Sequence, residues 1–376
     1  MVQNISPFKF GQIVDSEAFT NRDNEISFLG NNLLSGNHVI IISPRRYGKS
    51  SLVKKFALNN KKPDVIHCMI DLFSINSEEE FYETLARELI KSTSSKFEEW
   101  IENAKTFFKT LIPRISIGVD PLNDFTISFD QKEIVRHKSE ILNLAETIAK
   151  KKQKRIIVYL DDFQNISSFN KSLQFQKALR AEWQKHKNVS YCIYGSKRHM
   201  MHEIFDKSEA PFYRFGSLLI LDRIDTDHWI SFIVSKFKES HKIISESLAT
   251  EIAGLMKNHP HYVQQLAHFT WSFAGEDVAM DTINHAVKFM INSNSPLFIK
   301  TIEEISNTQL NLIKAITNGE TQFSATSTMQ KYNLGTPRNV FKNKKALENK
   351  DIIDIAANEI RFIDPLFEIW IKNTIQ

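Results

Sequence analysis

The run "ISPRRYGKSSL" (residues 42–52) sets a lysine and two hydroxyl side chains directly after a short turn that contains a glycine. Binding a nucleoside triphosphate at such a loop needs backbone N–H groups that converge on the phosphates, a lysine that reaches the β and γ oxygens, and a hydroxyl for Mg²⁺. Gly48, Lys49 and Ser50 supply the tight turn, the cation and the metal hydroxyl. The predicted nucleotide-binding loop consists of Ser43, Pro44, Arg45, Arg46, Tyr47, Gly48, Lys49, Ser50 and Ser51.

Ser43 stands where a phosphate-binding loop normally has its first glycine. That position only starts the turn, and a serine adopts most of the required backbone conformations at a cost of about 1 kcal/mol. Lys49 and Ser50 matter more for phosphate and metal binding, and both are present. We therefore expect a nucleotide site, the alternative being a chance Gly-Lys-Ser between a strand and a helix.

Two adjacent carboxylates end the apolar run "RIIVYLDDF" (residues 155–163). An aspartate at the carboxyl end of a buried strand is where Mg²⁺ coordination is expected in nucleotide-binding sheets. Asp161 is therefore the predicted metal ligand together with Ser50, and Asp162 is predicted to orient or deprotonate the attacking water. The alternative is a pair of carboxylates that only cap the strand end.

The next apolar run, "YCIYGSK" (residues 191–197), places Ser196 and Lys197 just after a strand. Neighbouring strand ends of a doubly wound sheet face the same ligand crevice. Ser196, or Lys197 beside it, is thus a candidate for a hydrogen bond to the γ-phosphate or to the attacking water. A plain turn explains the same residues, and the sequence leaves both interpretations open.

The elements that must position these residues are strands alternating with helices. Short apolar runs rich in β-branched residues recur at 38–43, 64–71, 156–163, 189–196 and 217–224. This alternation predicts an α/β fold, a parallel sheet with helices on both faces. Within it, Ser77 and three glutamates predict the start of a helix over 77–93. Residues 97–150 read as an insertion, with a β-hairpin at 113–130 and a helix at 133–150.

After about residue 224 the pattern changes to amphipathic helices, which predicts an α-helical lid. The run "NSNSP" (residues 292–296) has the composition of a linker. The last segment reads as three helices, a short hairpin and a final helix, the pattern of a winged helix. The predicted domains are therefore a P-loop domain at 1–224, the lid at 225–296 and the winged helix at 297–376.

Composition excludes several classes of protein. The 376 residues are 42% hydrophobic and 24% charged with a net charge of +4, far from the strong positive excess of a nucleic-acid-coating protein. Cys68 and Cys192 lie in apolar runs, which predicts reduced core thiols instead of a disulfide or a zinc site. No run approaches the ~18 apolar residues of a membrane span, and the first residues do not resemble a secretion signal, so a cytoplasmic protein without membrane contact is expected.

Three segments together resemble a known family: "SPRRYGKSSL", "VYLDDFQNI" and the upstream "FTNRDNEISFL" (residues 19–29). They are similar to the prokaryotic ATPase family described as predominantly archaeal, in the STAND branch of the AAA+-like P-loop NTPases. The similarity extends through "APFYRFGSLLILDRI" (210–224) and "NHPHYVQQL" (258–266) to a C-terminal winged-helix pattern ending "FIDPLFEIWI". It covers nearly the whole chain apart from residues 97–150.

The resemblance implies further site residues. Asn21 and Arg22 match a motif near the adenine, although Asn21 and the following Asp23 depart from the family's pattern. Pro260 matches a proline that brings the lid against the nucleotide, with Asn258 in place of the family's glycine. Arg214 corresponds to an arginine that senses the γ-phosphate, a surface salt bridge being the alternative. Asp162 replaces a residue that is often glutamate, and its shorter arm suggests slow hydrolysis.

The third helix of the winged-helix pattern begins at Thr336 and Pro337, a good cap and first turn. It carries a positive stripe suited to DNA phosphates. The residues of the stripe are Arg338, Lys342, Lys344 and Lys345. Winged helices in STAND proteins also pack against their own ATPase core or a protein partner, so both functions stay open.

These expectations combine into one function and one alternative. The first is a slowly hydrolysing molecular switch that binds ATP or ADP with Mg²⁺ and whose nucleotide state controls domain arrangement and partner binding. The alternative is a winged-helix DNA-binding regulator or adaptor that uses the nucleotide as a structural ligand. A protein partner or a homo-oligomer is compatible with either. A nucleotide kinase is a weaker third interpretation, because no motif for an acceptor pocket is present.

Overall fold

A computed structural model describes residues 5–14, 18–93, 99, 102, 106–108, 113–117, 125–356 and 359–375. The chain divides into two compact units. We call the first, Arg22–Ser43 with Lys49–Leu221, the strand unit. The second, which we call the helical unit, comprises Met1–Asn21, Pro44–Gly48 and Asp222–Gln376. The predicted boundaries near residues 224 and 296 stay predictions.

A five-stranded parallel sheet forms the centre of the strand unit, in the order β2-β5-β6-β1-β7. Its strands are β1 (Val39–Ile42), β2 (Val65–Asp71), β5 (Arg155–Asp161), β6 (Val189–Gly195) and β7 (Ser217–Ile220). Every residue of β1 and β6 is buried. Since successive side chains point to opposite faces, this burial requires cover on both faces of the sheet. The predicted α/β class is confirmed.

Helices alternate with these strands along the chain. They are α1 (Asp23–Leu33), α2 (Lys49–Asn59), α3 (Glu78–Ser92), α4 (Gln131–Leu142), α5 (Leu144–Lys152), α6 (Ser172–Trp183) and α7 (Arg198–Phe205), with a 3₁₀ turn at Phe163–Ser168. The predicted cap of α3 is present, because the Ser77 hydroxyl accepts a hydrogen bond from the Glu80 amide at 3.2 Å. The three glutamates of that first turn face the positive end of the helix dipole.

The insertion contains the predicted hairpin. Strands β3 (Arg114–Ile117) and β4 (Phe125–Ser128) pair antiparallel, with Arg114 opposite Ser128. The turn of the predicted hairpin, residues 118–124, lies outside the described residues. The single helix predicted at 133–150 is wrong in one respect, because α4 and α5 are separate helices that meet at Asn143.

The helical unit begins, after β7, with α8 (Thr226–Glu239), α9 (Glu246–Leu255), α10 (Pro260–Phe273) and α11 (Met280–Glu303). It continues with α12 (Asn307–Thr317), α13 (Thr326–Lys331), α14 (Pro337–Asn349), the antiparallel pair β8 (Ile353–Ala356) and β9 (Glu359–Phe362), and α15 (Pro365–Thr374). One hydrophobic core runs through this unit, from Phe8 and Trp229 to Trp370. The order of helices and hairpin after residue 306 is that of the predicted winged helix.

The predicted linker at 292–296 is wrong, because these residues lie inside the continuous helix α11. The hydroxyls of Ser293 and Ser295 donate hydrogen bonds to the carbonyl oxygens of Phe289 and Ile291, four residues earlier. Polar side chains that satisfy the backbone of their own helix in this way remain compatible with it. Their composition was therefore a poor guide to a break in the chain.

Cys68 and Cys192 are buried free thiols in β2 and β6, as predicted. Burial raises the pKa of Cys68 to about 12, so this thiol stays protonated near neutral pH. Among the described residues, no helix combines the length and the apolar character needed to cross a membrane.

Candidate functional site

Lys49 begins α2 and is 6% exposed. Its ammonium group donates to the carbonyl oxygen and to the hydroxyl oxygen of Ser43, each at 3.2 Å. Ser43 does not have a positive φ, whereas Arg46 and Gly48 do, at 65° and 86°. The left-handed conformations of the loop thus fall on other residues, which explains why a serine fits in the place of the first glycine.

Ser50 and Asp161 meet at the carboxyl edge of the sheet. The Ser50 hydroxyl donates to Oδ2 of Asp161 at 2.8 Å. Burial raises the pKa of Asp161 to about 6, and the neighbouring charge of Asp162 acts in the same direction. A hydroxyl and a carboxylate at this distance are hard oxygen donors of the kind that Mg²⁺ takes alongside substrate phosphates. The donor set therefore fits the predicted metal.

Asp162 and Ser196 are brought together at the ends of the neighbouring strands β5 and β6. The Ser196 hydroxyl donates to Oδ1 of Asp162 at 3.1 Å, and the Asp162 amide donates to Oδ1 of Asp161 at 2.8 Å. Asp162 has a φ of 49°, which turns the chain away from the strand. The expected convergence of the two strand ends is confirmed for Asp162 and Ser196, while their chemical roles stay predictions.

Gln164 belongs to the same cluster and was missed from the sequence. Its amide nitrogen donates to Oδ1 of Asp162 at 2.9 Å. The residue lies two positions after Asp162, inside the motif "VYLDDFQNI". Only its exposed fraction of 2% distinguishes it from an ordinary glutamine on a turn. A turn residue gives no sequence signal for that burial.

The middle of the loop, residues 44–48, belongs to the helical unit. Arg46 donates to the hydroxyl of Tyr262 at 3.0 Å, and its guanidinium carbon lies 5.9 Å from the centroid of that ring. Arg45 and Asp351 form an ion pair at 3.6 Å. Two arginines of the predicted phosphate loop thus contact α10 and the segment before β8.

Tyr47 is 5% exposed and packs edge-on against the ring of His259, with centroids 4.7 Å apart. His259 precedes Pro260, the first residue of α10, so the start of this helix lies beside the loop. Burial lowers the pKa of His259 well below its usual range, so the ring is neutral. Asn258 has a φ of 58°, a left-handed conformation that asparagine tolerates, and this explains how it replaces the family's glycine.

Comparison with known families agrees with this geometry. A family model described as an ATPase domain predominantly from Archaea matches residues 19–266, about two thirds of the chain. The chain belongs to this ATPase family. A second model, described as a probable winged helix domain, matches residues 296–373.

Solved structures share the fold of this ATPase. The Walker-type ATPase of Pyrococcus abyssi is 18% identical, with 95% of this chain and 97% of that chain covered and a TM-score of 0.67. The ORC2 protein of Aeropyrum pernix is 14% identical over 98% of each chain, with a TM-score of 0.57 for its ADPNP-ADP complexes and 0.52 for its ADP form. A search of curated proteins gave no match. The P-loop ATPase fold with a C-terminal winged helix is confirmed.

The structure does not bring Arg214 to the phosphate loop of its own chain, and its predicted role in sensing the γ-phosphate stays a prediction. Arg214 precedes β7, whose first residue, Ser217, pairs with Val39 at the amino end of β1. The phosphate loop follows the other end of β1, after Ile42. Because the strands are parallel, Arg214 lies at the amino edge of the sheet, opposite the edge that carries the loop. Its guanidinium instead lies over the ring of Tyr213, 5.2 Å from the centroid.

Arg223, which was not predicted from the sequence, lies beside the loop. β7 continues at the carboxyl edge with Leu221, whose amide donates to the carbonyl of Ile42. Two residues later, Nε of Arg223 donates to the hydroxyl of Tyr47 at 3.4 Å. Because β7 runs parallel to β1, Arg223, which follows β7, lies at the edge that carries the loop, and Arg214, which precedes β7, does not. The sequence motif alone does not reveal this direction.

Asn21 and Arg22 both have positive φ, at 53° and 98°, immediately before α1. The Arg22 guanidinium is nearly buried and pairs with Glu25, one turn into the helix, at 2.8 Å. This pair orders the start of α1, and the predicted adenine contact of Asn21 and Arg22 stays a prediction.

Three of the four basic residues predicted for DNA share a face of α14. Arg338, Lys342 and Lys345 are exposed at positions i, i+4 and i+7. Lys344 is wrongly assigned to this face, since its ammonium lies 4.4 Å from the centroid of the Phe323 ring and burial lowers its pKa. Phe341, which the sequence reading missed, is 71% exposed among the three basic residues.

Proposed function

We propose that this ATPase binds ATP and hydrolyses it slowly as a molecular switch. The observation that carries the proposal is the meeting of four groups at the carboxyl ends of β1 and β5. These groups are the side chains of Lys49, Ser50, Asp161 and Asp162. A cation, a hydroxyl and two carboxylates with these neighbours are what triphosphate binding and hydrolysis require.

Binding would begin with an exchange of partners at Lys49. In the structure the ammonium group is held by two oxygens of Ser43, and phosphate oxygens would take their place. Ser50 and Asp161 would hold Mg²⁺, which supplies charge neutralisation at the β and γ phosphates when bound. Backbone N–H groups of residues 44–48 would complete the cradle, with the start of α10 at Pro260 beside them.

Hydrolysis would use Asp162 as the group that orients water. The water oxygen forms a bond to the γ-phosphorus, the bond from that phosphorus to the bridging oxygen breaks, and ADP leaves. The proton lost by the water passes to the Asp162 carboxylate. The contact of Ser196 with Asp162 supports a role for that hydroxyl in fixing the carboxylate. An aspartate has a shorter arm than the more common glutamate, which supports slow turnover.

Lys49→Ala tests nucleotide binding. We expect ATP affinity, measured by calorimetry on the full chain, to fall at least about 100-fold, because charge-assisted hydrogen bonds to phosphate are lost. Lys54→Ala is the matched control, since Lys54 is exposed on the same helix. Analysis of nucleotide released from freshly purified protein gives a second readout. Unchanged ATP affinity in the Lys49 variant would contradict the proposal.

A chain of contacts within the helical unit supports the switch. Arg46 donates to the hydroxyl of Tyr262. The carboxyl of Asp364 lies close enough to that hydroxyl for each group to act on the pKa of the other. Asp364 accepts from the amides of Leu366 and Phe367 and so caps α15. A loop that changes with nucleotide state is therefore tied by three successive side chains to the last helix of the winged helix.

The switch predicts that ATP and ADP produce different small-angle scattering profiles of the full chain. Tyr262→Phe removes the hydroxyl in the middle of the chain of contacts, so we expect this variant to bind ATP while its two profiles become alike. Tyr213→Phe, in the strand unit, is the control. Identical profiles of the wild type in both nucleotides would contradict the switch and leave only an ATPase.

A second candidate function, DNA binding, is favoured by the exposed face of α14. Arg338, Lys342 and Lys345 can reach phosphates, and Phe341 offers an apolar ring to base edges. The triple alanine variant of the basic residues should weaken binding of the full chain to duplex DNA and reduce its salt dependence. Lys344→Ala should have little effect, because that ammonium packs on Phe323. Absence of salt-dependent binding by the wild type would remove this function.

A further inference from the structure

Gln164 places a buried amide against the carboxylate assigned to water. The residue follows Asp162 in the 3₁₀ turn Phe163–Ser168 and is 2% exposed. Its Nε2 donates to Oδ1 of Asp162 at 2.9 Å, and the Ser196 hydroxyl donates to the same oxygen at 3.1 Å. Two donors on one oxygen fix a terminal torsion that otherwise varies broadly in aspartate.

The orientation of the amide is determined by Asp162. Within the described part of the chain, Oε1 of Gln164 is buried without a hydrogen-bond partner. A buried acceptor without a partner is destabilising. Rotating the amide by half a turn would set Oε1 against Oδ1 of Asp162, two acceptors facing each other. The bond to Asp162 therefore maintains an orientation that leaves the other end of the amide unsatisfied.

Gly195 provides the space for this amide. A Cβ atom at position 195 would overlap Oε1 of Gln164 and lie 2.7 Å from Sδ of Met201. Gly195 ends β6 directly before Ser196, so one strand end supplies both the room for Gln164 and the second donor to Asp162. The absence of a side chain at 195 is thus tied to the position of the carboxylate.

We propose that Gln164 is a positioning residue for hydrolysis, acting through Asp162. Gln164 and Ser196 hold Oδ1, so that Oδ2 is the oxygen presented to the attacking water and the one that takes its proton. This inference rests on the proposed ATPase function and adds a residue to it. Gln164 needs no contact with nucleotide or water to act in this way.

Gln164→Met tests the inference, because methionine has a similar length and no donor. We expect kcat to fall at least about tenfold, since loss of orientation of a reacting group is costly, while the ATP Kd and the melting temperature stay close to wild type. Gln176→Met is the matched control: Gln176 is also a buried glutamine, and its amide donates to Ser172 in α6. We expect wild-type kcat for that variant.

A double-mutant cycle separates positioning from a general loss of packing. If Gln164 acts through Asp162, adding Gln164→Met to Asp162→Asn should lower single-turnover hydrolysis no further. Gly195→Ala provides an independent route, because it displaces the amide without removing it, and should lower kcat with ATP binding retained.

Three outcomes would overturn the inference. These are a kcat within twofold of wild type for Gln164→Met, a further tenfold loss in the double variant, or a loss of ATP affinity as large as the loss of kcat. In each of these cases the proposed function still stands if the wild type hydrolyses ATP and this hydrolysis depends on Asp162. A wild type that neither binds nor hydrolyses ATP would refute the proposed function, and the inference with it.

Discussion

The carboxyl edge of the parallel sheet carries four of the predicted site residues, and the amino edge carries one. Motifs pointed to Lys49, Asp161, Asp162 and Ser196 on one hand and to Arg214 on the other. The first four lie together after the carboxyl ends of β1, β5 and β6, whereas Arg214 precedes the amino end of β7. Strand direction, which no single motif encodes, decides which charged residues share a site.

The physical reason is that parallel strands place all their carboxyl ends at one edge. The loops that leave this edge lead into helices, and α2 begins at Lys49. The amides of a helix start attract anions, and ligands of open α/β sheets bind in the crevice at this edge. An arginine at the opposite edge meets strand starts and, here, the ring of Tyr213. The comparison therefore predicts large effects at one edge and small ones at the other.

The largest expected effect is that of Asp162→Asn at the carboxyl edge. Turnover should fall at least about 100-fold while ATP binding is retained, because an amide cannot take the proton of the attacking water. A phosphate-release assay and calorimetry measure the two quantities. Asp206→Asn is the control, since Asp206 lines a cleft with Arg214. A similar loss of turnover in both variants would erase the distinction between the edges.

Ser43→Gly should raise ATP affinity, an effect smaller than the loss of turnover in Asp162→Asn. Removing the hydroxyl takes away one oxygen that competes with phosphate for the Lys49 ammonium. Since a hydrogen bond contributes about 1 kcal/mol, ATP affinity should rise about fivefold. Ser43→Ala separates the hydroxyl from backbone freedom, and calorimetry should give the same gain for both variants. A gain with glycine alone would assign the effect to the backbone.

The sequence was informative where one residue type has one structural consequence. β-branched runs predicted the five strands, and Ser77 and Thr336 predicted helix caps that the structure contains. Composition failed at 292–296, because serine and asparagine can satisfy the backbone of the helix that holds them.

Properties set by tertiary structure could not be read in this way. The place of Gln164 in the site depends on its burial beside β6, which its sequence position does not reveal. The exclusion of Lys344 from the basic face depends on the nearby ring of Phe323. The resemblance to a family predicted Arg214 at the γ-phosphate. Similarity of local sequence does not report the edge of the sheet on which a residue lies.

The smallest expected effect, that of Arg214→Ala, gives the sharpest comparison because a second arginine serves as its counterpart. Arg214 precedes β7 and Arg223 follows it, so the two residues lie beyond opposite ends of one short strand. Only Arg223 contacts the loop, through the hydroxyl of Tyr47.

We expect Arg214→Ala to change ATP affinity and turnover less than twofold. Arg223→Ala should change ATP affinity about threefold, since it removes one long hydrogen bond near the loop. Measuring both variants in the same calorimetric and phosphate-release assays controls for the loss of a positive charge. If Arg214→Ala had the larger effect on the isolated chain, the parallel register of β1 and β7 could not explain the site. If its effect appeared only as protein concentration rose, Arg214 would be acting on the nucleotide of a second copy.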